Sequence, residues 1–169
     1  MPWHPVFLHF PIALLTTAVV VDAAALLCRR PNWQPGAYAL LLAGTVGAAA
    51  SVFTGNADAV AYRQADVAAA IQDHEDLGTA TFLLFLLMLL GRLPDVLRAG
   101  RRGSIQPPGQ AGRRAAWLWL AVGVVGLVLL YLTSHHGGEL VYQHGVGQYG
   151  VGRQSFGPQD VEALMPKKL

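Results

Sequence analysis

Four long apolar runs separated by short polar stretches constrain this chain more than any other feature. A membrane-crossing helix needs about 20 apolar residues, and the runs at about 6–28, 37–55, 75–93 and 115–133 have that length. Backbone polar groups in lipid must be bonded within the segment, so spans this long are helices. The strictly apolar part of the third run is only Leu77 to Leu90, so its helix must start before His74 and leave that residue at the water interface. The expected fold class is all-α: an integral membrane four-helix bundle with a surface amphipathic helix and a glycine-rich C-terminal tail. The expected division is a transmembrane domain over 1–136 and a tail over 137–169.

Composition supports this reading. Hydrophobic residues make up 53% and charged residues 13%, against about 25% charged in soluble domains, which argues against a water-soluble enzyme. The net charge of +2 provides no basic field for nucleic acid. The single cysteine, Cys28, excludes an internal disulfide, a zinc ribbon and a covalent c-type haem site.

The connections differ in character. Arg29 to Pro35 reads as a tight turn holding Pro31 and Pro35. Asn56 to Asp73 is alanine-rich, with Val60, Val67 and Ile71 on one helical stripe, and reads as an amphipathic helix on the membrane surface. Pro94 to Arg114 has the Gly, Pro and Arg content of a disordered linker. Ser134 to Leu169 is too polar and short to build a core of its own.

Lys and Arg in short loops set orientation. Arg29, Arg30, Arg92, Arg98, Arg101, Arg102, Arg113 and Arg114 lie on one side with the single acid Asp95, and that side is expected to be cytoplasmic. The other side holds Arg63, Arg153, Lys167 and Lys168 against eight acids. Both termini are therefore expected on the outer side, which is the periplasmic side if the membrane is a bacterial inner membrane. No Lys or Arg precedes the first run, and Arg29 and Arg30 follow it, so an uncleaved anchor is expected rather than a signal peptide.

This topology brings all six histidines to one face. His4 and His9 open the first span, His74 opens the third, His135 and His136 close the fourth, and His144 follows. Ionisable groups near a membrane interior are read as functional by default, and imidazoles converging from several helices could hold a haem or a metal within a bundle. Small residues lie beside them: Ala13, Thr16 and Thr17 after His9, Gly78 and Thr81 after His74, and Gly47, Ser51 and Gly55 on the second helix. Such faces admit a flat macrocycle, and they are equally how membrane helices approach closely without one.

Other patterns carry less. Gly145, Gly147 and Gly150 spell a dinucleotide fingerprint, without the strand and helix that fingerprint needs. Asp73, Glu75 and Asp76 suit the positive start of a helix better than a carboxylate pair for catalysis. Glu139 could orient the imidazole of His135 or His136, or stand as a solvated acid. Asp22, the acid inside a span, is expected to bond a hydroxyl such as Thr45 or to reach Arg92.

The segments "HPVFLHFPIALL" (4–15), "DHEDLG" (73–78) and "HHGGELVYQHGVG" (135–147) resemble the bacterial membrane domain-of-unknown-function family twenty-two thirty-one. That resemblance implies a four-helix membrane fold and a redox neighbourhood, since members occur fused to Rieske-type or c-type cytochrome domains. It also implies histidines matching His4, His9, His74, His136 and His144. Three functions follow as expectations. The first is a b-type cytochrome-like electron carrier, binding haem b through His4, His9, His74, His135, His136 and His144. In it His9, His74 and His136 supply the iron ligands, and electrons pass to or from a quinone, a cytochrome c or a Rieske-type partner. The second is a non-catalytic structural or accessory subunit of a larger membrane redox or photosynthetic complex, needing no cofactor. The third is a copper or zinc site on the same imidazoles. An electron carrier or subunit is expected rather than a stand-alone enzyme, with the lipid bilayer as common partner and no nucleic acid.

Overall fold

The computed structural model describes residues 8–60, 66–102 and 110–146. They form four α-helices, α1 (His9–Leu27), α2 (Gln34–Ala59), α3 (Ala68–Arg102) and α4 (Gln110–Tyr142), with a 3-10 turn at Pro31–Trp33 between the first two. All four are long and apolar enough to cross a membrane. Each packs on its neighbour in sequence, and α1 closes the ring against α4.

The inward positions follow a single rule. Pro11, Leu15, Ala18 and Ala25 are buried in α1, and Ala37, Leu41, Gly44, Ala48 and Ser51 in α2. On α3 the series is Ile71, Thr81, Phe85 and Met88, and on α4 it is Gly123, Gly126, Leu130 and Leu140. Steps of three and four give the spacing that lets helices cross at shallow angles, ridge into groove. Glycines admit the partner's bulk. A Cβ on Gly44 would stand 2.7 Å from Leu15, one on Gly123 3.0 Å from Val19, and one on Gly126 2.7 Å from Phe85. Several hydroxyls inside the spans are satisfied by the carbonyl one turn back, as at Thr45, whose Oγ1 donates to the Leu41 carbonyl at 2.7 Å.

Three connections differ from expectation. The amphipathic helix over 56–73 is divided between neighbours: α2 runs on to Ala59 and α3 begins at Ala68, while residues 61–65 lie outside the described residues. Ile71 does turn inward, to a small cluster with Ala59 and Leu140, whereas Val60 is exposed. The linker expected from Pro94 is also largely helical, since α3 passes through Pro94 to Arg102 and α4 starts at Gln110. A mid-helix proline loses one backbone bond, and Pro94 lies on an exposed surface beyond the apolar part of α3. Third, the fourth helix runs through Gly137 and Gly138 to Tyr142, past the boundary expected between 136 and 137. The chain turns at Gly145, with φ 66°, and the Val146 N–H reaches back to the Leu140 carbonyl at 3.0 Å. A glycine in the left-handed conformation is a common way to reverse the chain after a helix.

At the opposite end of α1, the Arg30 N–H donates to the Ala25 carbonyl at 2.8 Å and the Arg29 N–H to the Leu26 carbonyl at 3.4 Å. This is a Schellman cap with arginine, φ 54°, at the place glycine normally takes.

Candidate functional site

The contact of Gly123 with Val19 and Met88 sets a common level for α1, α3 and α4. Counted from it, His9 lies ten residues away along α1 and His74 fourteen along α3, or about 15 Å and 21 Å at 1.5 Å per residue. The two histidines therefore differ in depth by about 6 Å, and α2, α3 and α4 extend well past the start of α1.

Rotation about the helix axis separates the histidines further. His74 lies three residues after Ile71 and seven before Thr81, so it sits on the inward stripe of α3 and enters the seam with α4. Its Nδ1 lies 3.1 Å from the Thr133 carbonyl oxygen, which can only accept, so Nδ1 is the donor. The ring also fills a notch left by Gly137, where a Cβ would stand 3.0 Å from His74 Cε1. Two turns along α3, the hydroxyls of Thr81 and Thr133 meet at 3.1 Å. A neutral ring donating from Nδ1 carries its lone pair on Nε2.

The remaining histidines fall off the inward stripes. His9 is exposed at the start of α1. His135 and His136 share Glu139, with Nδ1 to carboxylate distances of 3.7 and 4.0 Å. The His135 ring lies 6.2 Å from both the Tyr131 and the His136 rings, centre to centre. With Ser134, Gly138, Tyr142 and Gln143, His135 and Glu139 line an open groove on the outer surface of α4. His144 is exposed just beyond the helix, and His4 lies outside the described residues. Among the described residues no three His, Cys, Asp or Glu side chains are placed to hold a metal ion.

Of the glycines beside the histidines, Gly47 is filled by Pro11, whose Cδ a Cβ would meet at 3.2 Å, whereas a Cβ on Gly78 would meet Thr133 alone within 4 Å, at an ordinary 3.7 Å. Deeper in the bundle Gly44 receives Leu15, Gly123 receives Val19 and Met88, and Gly126 receives Phe85, so a macrocycle does not fit at those deeper levels and the glycines there serve helix packing.

Acidic residues find other uses. Gln72 donates to Asp76 at 2.8 Å, and Asn56, with its amide nitrogen turned to acceptors, reaches Glu75 at 3.1 Å and the Val52 carbonyl at 3.2 Å. Asp58 Oδ2 is buried without a hydrogen-bond partner. Near the arginine-rich end, Arg92 clasps Asp22 with two guanidinium nitrogens, Nη2 to Oδ1 at 2.8 Å, and both side chains are about nine-tenths buried. This realises one of the two expected bonds of Asp22. The other candidate, Thr45, is turned to its own helix.

Thr133 and Gly137, which seat His74, were not anticipated. Their signal is the stripe Gly123, Gly126, Leu130, Thr133, Gly137 and Leu140, which keeps its spacing through the two glycines. No curated protein and no solved structure matches the chain. A family described as "Predicted membrane protein (DUF2231)" matches residues 1–150. With nearly the whole helical region matched and four apolar helices in place, the chain belongs to that family of membrane proteins.

Proposed function

We propose that the protein is a non-catalytic helical subunit of a larger membrane redox assembly, docked through α4. One observation carries this reading: the free face of α4 runs without a break from an apolar ridge to a polar groove. Leu118, Val124, Val125, Val128 and Tyr131 form the ridge, all exposed, and it continues into His135, Glu139 and Tyr142. α4 is also the least buried of the four helices. A helix facing only lipid needs the ridge but has no use for the groove. A partner with a transmembrane helix and a polar head beyond the membrane would engage both, with tyrosines and imidazoles at the water boundary. The redox character of the assembly rests on the family resemblance of the three histidine segments.

A second reading, imidazole ligation of haem iron or a copper or zinc ion, is favoured by His74. A ring held by Nδ1–H to a backbone carbonyl has the tautomer of a ligating histidine. A haem or metal ion held at the histidine end would supply redox or Lewis-acid chemistry there.

Native electrophoresis of gently solubilised membranes, with a visible spectrum of the purified chain, decides between the two. The subunit reading expects migration in a larger particle and a colourless purified chain. It also expects release from the particle when Val125, Val128 and Tyr131 are changed to Ala together. A chain that migrates alone and shows a Soret band overturns it.

A further inference from the structure

Four cations without carboxylate partners among the described residues lie at the same end of the neighbouring helices α1 and α4. Arg29 and Arg30 follow α1, and Arg113 and Arg114 lie in the first turns of α4. All four are exposed, and among the described residues none is in an ion pair, whereas Asp22 is held by Arg92 and Asp95 by Arg98. From the Val19–Gly123 contact, Arg29 is ten residues along α1 and Arg113 ten residues back along α4. On these neighbouring antiparallel helices the two arginine pairs therefore share one depth, about 15 Å from that contact. Half the hydrocarbon thickness of a bilayer is also about 15 Å, and the contact lies near the middle of the apolar runs. The cations thus leave the chain at the edge of the hydrocarbon core, from which a long arginine side chain reaches the lipid phosphates. We propose that this corner is a binding site for the headgroup of an anionic phospholipid.

Three features fit that occupant. A guanidinium presents a planar fork that matches phosphate oxygens two at a time. Leu27, Trp33 and Trp117, all exposed around the cations, provide the apolar and aromatic rim that acyl chains and the glycerol region contact. Arg29 also holds a left-handed backbone, φ 54°, where glycine is the relaxed choice, so the position keeps a guanidinium in spite of its conformation. A cluster of Lys or Arg beside the cytoplasmic ends of transmembrane helices is an arrangement by which membrane proteins select anionic lipids.

The test uses the full chain, stripped of lipid in neutral detergent and offered phosphatidylglycerol or phosphatidylcholine in mixed micelles. Native mass spectrometry counts bound lipid, and the thermal midpoint is followed in parallel. Phosphatidylglycerol should be retained in preference and should raise the midpoint, and high salt should erase both effects. Changing Arg29, Arg30, Arg113 and Arg114 to Gln together should reduce the preference roughly tenfold or more. The milder pair Arg113→Gln and Arg114→Gln should lower it in part, and it serves if the fourfold variant does not fold. Inorganic phosphate alone should leave the midpoint unchanged. Equal retention of the two lipids, a preference undiminished in the variants, or an equal midpoint rise with phosphate would each overturn the proposal.

Discussion

Two residue types occupy places that their chemistry makes costly or indispensable, and each supports a test. Arg29 takes the left-handed position of a Schellman cap, which costs an L-residue with a Cβ about 1 kcal/mol or more. Arg29→Gly removes that strain but adds freedom to the unfolded chain. The net expectation is a gain of about 0.5 kcal/mol in neutral detergent, read by reversible denaturant unfolding. The paired glycines of α4 form a matched control. A methyl on Gly137 would press on the His74 ring, whereas one on Gly138 meets nothing within 4 Å. Gly138→Ala should therefore stabilise by about 0.5–1 kcal/mol through helix propensity. Gly137→Ala should destabilise by about 1–3 kcal/mol as the ring is displaced. Equal effects of the two substitutions would show that His74 does not depend on that notch.

At the scale of elements, α3 and α4 are longer than their apolar runs because their inward stripes do not stop where hydropathy falls. On α4 the stripe passes Gly137 and ends at Leu140, which packs with Ala59 and Ile71 under Val146. These contacts, not intrinsic propensity, hold a glycine-containing turn in the helix. Leu140→Ala should cost about 2–3 kcal/mol. It should also raise amide hydrogen exchange over residues 137–142 while the apolar part of α4 keeps its protection. Unchanged exchange there would mean that the cluster does not anchor the end of α4.

For the whole molecule, the Asp22–Arg92 pair joins α1 to α3, helices that are not neighbours in the ring, and so ties the bundle across its middle. Removing one partner strands a charge in a dry interior. Asp22→Asn or Arg92→Met should each destabilise by about 3–5 kcal/mol, while Asp22→Leu with Arg92→Met should recover most of that loss. Thermal unfolding in detergent measures the cycle, and a double variant as unstable as the singles would deny the coupling. Orientation is a separate property of the whole chain, and the concentration of arginine at one end proposes that this end is cytoplasmic. With Cys28 replaced by Ser, a cysteine at position 104 should be shielded from a membrane-impermeant reagent in intact cells, and one at position 155 should react. The reverse pattern would invert the topology.

Much of the fold was legible because a membrane makes hydropathy and length nearly sufficient. Four apolar runs must be helices in lipid, and short connections make them antiparallel neighbours. The depth of His9, His74, His135 and His136 near one end followed from the same counting. What counting along the chain could not supply was the rotation of each helix about its axis. An inward stripe is narrow, so a shift of one or two residues moves a side chain from the seam to the surface. His74 fell on its stripe and was buried against Thr133 and Gly137, while His9 and His135 fell beside theirs and remained outside. The same packing decided that Gly44, Gly123 and Gly126 receive side chains of neighbouring helices, and that α4 runs on past Gly137 to Tyr142. Sequence alone determined that the chain has four membrane-crossing helices and which end the charged and ring-bearing residues of the described helices lie near. Only tertiary contact decided which of those residues meet, because burial against a partner helix depends on azimuth and register that local propensity leaves nearly degenerate.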